Sequence, residues 1–216
     1  MKKELLRLEF HCHTNHSHDS LTTPASLVNA CRLKNIDRVV ITDHNTITGA
    51  EEAKGIAPEM VIIGEEIMTT AGELLAAFVR EKIPPNLPPL AAIEKLKAQD
   101  AFISVSHPFD RFRSGGWKED QLMEILPYID AIEVFNSRCF LPGFNNQARA
   151  LAERLDLAGT VGSDAHANCE LGRSTLKIEP FQNAEELRRV IRAAKTSVKW
   201  SPPWFHLSSR YAALRK

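Results

Sequence analysis

Five short polar motifs each follow a run of apolar, strand-forming residues: HCH at 11–13, TDHN at 42–45, GEE at 64–66, SHPFD at 106–110 and GSDAH at 162–166. Strands that are apolar nearly throughout belong to a sheet covered on both faces. A polar patch at one end of each strand then has to be accommodated five times over. In a (β/α) barrel all strands run the same way, so their C-terminal ends converge on one mouth. An open sheet would spread those ends along an edge.

The rest of the chain fits such a scheme. Strand-like segments at 5–13, 38–45, 59–67, 101–109, 130–138, 158–166 and 174–179 alternate with helical patterns at 25–34, 90–99, 117–127, 144–157 and 183–195. GELLAAFV (72–79) reads as a further strand. Pro24 suits the first turn of a helix, and the prolines of IPPNLPP exclude helix before Leu90. At 216 residues the chain is expected to form a single α/β domain. The barrel is expected over 1–195, and the tail at 196–216 as an aromatic, basic segment packed on it. That tail holds Trp200, Trp204, Phe205 and Tyr211, and Lys and Arg without Asp or Glu. It reads as a closing segment or as a surface for a partner or anionic ligand.

Lys+Arg and Asp+Glu are both 27, which removes any general pull toward nucleic acid or membrane. Stable binding of duplex nucleic acid is not expected. The N-terminus MKKELLRLEF lacks the apolar core of a signal peptide, and no apolar run approaches a membrane span. The four cysteines are scattered without a CxxC pair, as suits reduced thiols; a cytoplasmic location is expected.

His11 and His13 are two apart on a strand, so their side chains leave the same face and suit one first-row metal ion. Asp43, His44, Glu65, Glu66, His107, Asp164 and His166 close other strands. Cys12 lies between two of these histidines but alternates into the wall, away from any metal.

With HCHT, ITDHN, GEEI, SHPFD and GSDAH in this order, the chain resembles the PHP family, the "polymerase and histidinol phosphatase" domain of metal-dependent phosphoesterases. The resemblance implies a distorted seven-stranded (β/α) barrel with two, and up to three, divalent ions at its mouth. It implies a first site of His11, His13, Glu66 and Asp164, and a second of Asp19, His44 and His166. Glu66 would bridge toward a third ion that His107 also binds. Imidazoles mixed with carboxylates suit Mn²⁺, Fe²⁺ or Zn²⁺. The family pattern selects Glu66 over Glu65, leaving Glu65 outer-shell or salt-bridged. The interval to His44 selects Asp19, with His18 as the alternative. His16 is then a loop residue or substrate contact, and His206 has no catalytic role. Three-ion members of the family supply one more histidine between GEE and SHP. This chain has none between His44 and His107, and Leu75 and Val79 occupy the strand where one is expected.

The implied reaction is hydrolysis of a phosphate ester, in a phosphorylated small molecule, nucleotide or short oligonucleotide, by a hydroxide bridging two metals. Glu66, Asp164 and His107 would form its catalytic core, with His107 either a ligand or a general acid. Arg111, Arg113, Arg138 and Arg173 are candidates to grip phosphate, Arg111 and Arg138 foremost. Asn136 is either a substrate contact or a loop-capping amide. The alternatives are C–N hydrolysis of the amidohydrolase type and a non-catalytic metal-binding regulatory module.

Overall fold

The computed structural model describes residues 4–113 and 115–216. Among them nine strands form one sheet in the order β7-β6-β5-β4-β3-β2-β1-β8-β9. Their ranges are β1 Leu6–Glu9, β2 Arg38–Ile41, β3 Val61–Met68, β4 Glu73–Ala77, β5 Phe102–Val105, β6 Ala131–Asn136, β7 Ala158–Gly162, β8 Thr175–Ile178 and β9 Lys195–Ser197. Helices cover the outside: α1 Pro24–Leu33, α2 Thr48–Ile56, α3 Pro89–Ala98, α4 Glu119–Ile125, α5 Pro142–Arg154, α6 Ala184–Val190 and α7 Phe205–Arg215.

The sheet curls until its ends meet. Phe10 and Phe102 touch edge-on, ring centroids 5.7 Å apart, although β1 and β5 are four strands apart in the sheet. Leu8, Phe10, Ile62, Leu75, Phe102 and Phe181 join in one buried cluster. Beyond the strand ends the chain segments after β1 and β7 pair directly. His13 N–H donates to the Ala165 carbonyl at 2.8 Å, and Ala165 N–H to the His11 carbonyl at 3.4 Å. That closure sets HCH beside DAH.

Two expectations need correction. The strands do not all run the same way: β4 is antiparallel to both β3 and β5, and β8 and β9 are antiparallel to their neighbours. The seven strands β1–β7 form the expected distorted barrel, and β8 and β9 extend it beyond β1. The expected boundary between barrel and tail, after residue 195, falls inside β9, which is hydrogen-bonded to β8. The short helix α2 was not anticipated in TGAEEAKGI, which carries two glycines. Nor was α7, whose sequence offers no clear apolar face; only Ser209 and Ala212 of it are buried.

α1 begins as expected, with Pro24 in its first turn and the Thr23 side chain accepting from Ser26 N–H. The buried faces of α1 and α2 (Leu27, Val28, Cys31, Ala50, Ala53) pack with Val39 and Ile41 of β2. Those of α3, α4 and α5 (Ile93, Leu96, Leu122, Ile125, Leu151) pack over β4 to β6. Cys12 sits in the first of these layers, its thiol directed to the Val40 carbonyl at 3.4 Å. Among the described residues no helix is long and apolar enough to cross a membrane.

Glu65 alternates to the side of β3 away from the mouth. Its carboxylate is fully buried and accepts from Ile83 N–H at 2.9 Å, with no basic side chain within ion-pair distance among the described residues. Burial pushes this carboxyl up to about 7. The folded state therefore favours the protonated form, and stability falls as pH rises from about 4.5 through about 7. Glu65→Gln is expected to remove that slope. Denaturant unfolding at pH 5 and pH 8 should show the variant gaining up to about 3 kcal/mol relative to wild type at the higher pH. Parallel pH profiles for the two proteins would contradict the assignment.

Candidate metal centre

The mouth is assembled from strand ends and the turns that follow them. Pairing continues past the strands here: Thr42 N–H donates to the Cys12 carbonyl at 2.9 Å, Glu66 N–H to Asp43 at 3.2 Å, and Asn45 N–H to Glu66 at 2.8 Å. HCH, TDH and GEE are therefore held side by side. Gly162 leaves room beneath them, since a Cβ there would lie 2.4 Å from His11 Cβ and 2.5 Å from Glu133 Oε1.

Four buried atoms face one another without a hydrogen-bond partner: His11 Nε2, His13 Nε2, Glu66 Oε2 and Asp164 Oδ1. His11 Nε2 lies 3.3 Å from Glu66 Oε2 and 3.6 Å from Asp164 Oδ1. For His13 Nε2 the corresponding distances are 3.4 and 3.2 Å. Donors about 2.0–2.1 Å from a tetrahedral centre stand roughly 3.3–3.4 Å apart. Orphaned buried polar atoms are costly. This set fits a divalent cation.

The imidazole tautomers agree. His11 Nδ1 donates to Glu133 Oε1 at 2.9 Å. Ser17 Oγ donates to Asp43 at 2.6 Å, so it accepts from His13 Nδ1 at 3.1 Å. His166 Nδ1 donates to the Asp164 carbonyl at 2.9 Å. Each of the three therefore turns the Nε2 lone pair toward the mouth. Burial beside His166 and His44 lowers His13 to about 3, keeping it neutral. Burial alone would raise the Asp164 carboxyl, but Arg113 and His11 hold it well below the usual range.

A second group lies alongside. His166 Nε2 is 3.0 Å from Asp19 Oδ2, and His44 Nε2 is 3.7 Å from Asp19 Oδ1, itself buried and unpartnered. Donor atoms of His13, His44 and His166 fall within 4.8 Å of one another. His18 is 72% exposed at the rim, its Nδ1 3.9 Å from Asp19 Oδ1, and donor atoms of His18, Asp19 and His44 fall within 4.8 Å of one another. His16 lies outside the cluster, against Glu52 at 3.1 Å. His107 Nε2 is 3.2 Å from Glu66 Oε1.

The other expected residues divide. Asn136 is fully buried and does not face the cavity; its amide donates to Asp164 at 3.2 Å and Glu133 at 3.1 Å, holding a candidate ligand in place. Arg111 is away from the mouth, lining a separate cavity with Trp117, Leu122 and Arg154. Its neighbour Arg113 takes the inner place, 2.6 Å from Asp164 Oδ2. Arg138 is buried beside Glu170 at 3.6 Å and donates to the Phe205 carbonyl and Ser209 Oγ of α7. Arg173 also binds the tail, donating to the Trp200 carbonyl at 2.7 Å.

Over the cluster lies a cavity of about 600 Å³, lined by Asp19, His44 and His166 at the metal centre and by Phe112, Arg113, Arg138, Phe140, His206 and Arg210 around it. The tail forms one wall. Ser201 N–H donates to the Ser137 carbonyl, and Lys216 reaches the carbonyls of Asn15 and Ser17. His206, assigned no role from the sequence, stacks on Phe140 with ring centroids 4.3 Å apart.

Sequence reasoning missed Glu73 and Glu133. Glu133 is buried in the middle of β6 and accepts from His11 Nδ1, His107 N–H (2.8 Å) and Asn136. Its signal was present, a lone acid inside the apolar run AIEVF. Glu133→Gln is expected to weaken Mn²⁺ binding roughly 10- to 100-fold while the fold persists. Calorimetric titration with Mn²⁺ checks this, and an unchanged affinity would remove Glu133 from the site.

Comparison with known proteins places these residues in a wider group. The profile of the PHP domain matches residues 9–129, and that of a PHP-associated region matches 142–196. An uncharacterized protein of Methanocaldococcus jannaschii is 36% identical over 175 residues, covering 80% of this chain and 70% of its own. A provisionally assigned metal-dependent phosphoesterase from Bifidobacterium adolescentis superposes with a TM-score of 0.61 at 18% identity, over 74% of this chain and 88% of that one. The lesion-specific endonuclease of Pyrococcus furiosus gives a TM-score of 0.66 at 16% identity, over 89% of this chain and 57% of that one. At these identities the two structures show a shared fold.

Proposed function

The chain belongs to the PHP domain family, and from that premise we propose that it is a metal-dependent hydrolase of phosphate esters. The observation that carries this reading is the pairing of unpartnered imidazole and carboxylate donors with an arginine-lined cavity directly above them. Two structural neighbours are described as a phosphoesterase and an endonuclease, which supports the same bond type.

His11, His13, Glu66 and Asp164 would hold one divalent ion, and Asp19, His44 and His166 a second; the donor set suits Mn²⁺, Fe²⁺ or Zn²⁺. Ions held there would supply Lewis-acid chemistry, acidifying water toward neutrality and neutralising phosphoryl oxygens. The chain's own residues do the rest. Glu133 and Ser17 fix the orientation of His11 and His13. Arg113 and Asn136 hold Asp164, so its other oxygen faces the mouth. Arg138 carries charge to the cavity while anchoring α7. Arg210 lines the cavity with no carboxylate partner among the described residues, which leaves it able to meet a phosphate. Because α7 walls one side of the mouth, a small phosphorylated molecule or a nucleotide fits better than a continuous polynucleotide.

The test is Mn²⁺-loaded protein assayed on phosphomonoesters, including p-nitrophenyl phosphate, and on short oligonucleotides. Turnover is expected and should be lost on chelation; inactivity across the panel would count against the reading. Asp164→Ala should abolish both Mn²⁺ retention and turnover, whereas Cys12→Ala should spare turnover. Loss of turnover in Cys12→Ala with Mn²⁺ retained would overturn the metal-based mechanism. Arg210→Ala should raise KM about tenfold with kcat little changed, the loss of roughly one charge-assisted hydrogen bond of about 1.4 kcal/mol.

A further inference from the structure

β4 runs against its neighbours, so its first residue, not its last, lies at the mouth. That residue is Glu73. The register pairs Glu66 with Leu75 and Met68 with Glu73, which carries Glu73 one pleat beyond Glu66 on the mouth side. Leu75 and Val79, the positions where a further histidine was expected, are in the hydrophobic core.

The Glu73 side chain is 7% exposed, and its carboxylate makes no hydrogen bond to the described residues. Its oxygens face two imidazoles: Oε2 lies 3.3 Å from His107 Nε2, and Oε1 lies 3.7 Å from His44 Nδ1. His107 Nε2 is also 3.2 Å from Glu66 Oε1. Donor atoms of His44, Glu66 and Glu73 fall within 4.8 Å of one another. These spacings match those of the first group. Gly115 permits the approach, because a Cβ there would lie 2.2 Å from Glu73 Oε2. A buried carboxylate facing no donor but imidazole nitrogens among the described residues, beside a second carboxylate on the same nitrogen, suits a cation.

We propose that Glu73 completes a third metal pocket with Glu66 and His107, in place of the histidine this chain lacks, and that this shifts the pocket's preference toward Mn²⁺ and away from Zn²⁺ relative to a pocket completed by histidine. The preference follows from composition. Two carboxylates and one imidazole make a harder, more anionic donor set than one carboxylate and two imidazoles. The proposal rests on the metal centre described above.

The experiment is equilibrium Mn²⁺ titration of chelator-stripped, full-length protein, with free Mn²⁺ read from its electron paramagnetic resonance signal. Wild type is expected to bind three equivalents and Glu73→Gln two, with the melting temperature of the stripped protein little changed. Glu73→His should again bind three, and competition with Zn²⁺ should show its third site at least tenfold more favourable to Zn²⁺ than the wild-type site. Two equivalents in both wild type and Glu73→Gln would overturn the Glu73 pocket and leave the other two sites standing. Three in both would assign the third ion to other residues and overturn it equally. No bound Mn²⁺ in wild type would overturn the whole metal reading along with it. If Glu73→Gln fails to fold, the count in wild type and the Zn²⁺ preference of Glu73→His decide the question.

Discussion

The Glu66 carboxylate is fully buried, and four imidazoles surround it. Its Oε2 lies 3.3, 3.4 and 3.1 Å from nitrogens of His11, His13 and His44, and its Oε1 lies 3.2 Å from His107. A carboxylate taken out of water costs several kcal/mol unless it is compensated on every side. Much of the mouth serves that compensation. Ser106 donates to it at 2.7 Å, and the pairing of His44 with Glu66 fixes TDH beside GEE. Gly64 lets β3 lie against its neighbours, since a Cβ there would meet the Ala76 carbonyl at 2.6 Å and the Ile41 carbonyl at 2.9 Å. Barrel closure sets DAH beside HCH, so that His11 and His13 face Glu66 on one side and Asp164 on the other.

That demand is also visible in the backbone. His107 has φ 22° and Asp164 φ 51°, and such left-handed conformations cost about 1–3 kcal/mol when a side chain is present. Both are secured by their surroundings. Glu133 accepts from His107 N–H, and Arg113 and Asn136 grip the Asp164 carboxylate. At these two positions the locally expensive conformation aims a donor at the mouth.

What could be read from the sequence was local. A strand followed by HCH or SDAH declares both the element and its functional end within a few residues, so the alternation of strands and helices and the convergence of the five motifs were legible. Strand direction was not, because it depends on which strands pair. The extended GELLAAFV looks the same in either direction, and the family resemblance directed attention to Leu75 and Val79 on it rather than to Glu73. Glu133 was hidden for a related reason: it lies mid-strand, where an acid reads as a surface residue until the barrel buries it. Arg111 and Arg113 differ only in how the turn after SHPFD points them, and no sequence pattern fixes that. The tail helix has little apolar character of its own. It is held by contacts that Arg138, Ser137 and the loop after HCH supply, none of them near it in sequence.

The most direct measurement is anomalous diffraction at the manganese absorption edge from crystals of the Mn²⁺-loaded protein. It is predicted to give a peak within bonding distance of His11 Nε2, His13 Nε2, Glu66 and Asp164, and another beside Asp19, His44 and His166. Manganese peaks elsewhere on the chain, with none in contact with Glu66, would contradict the account.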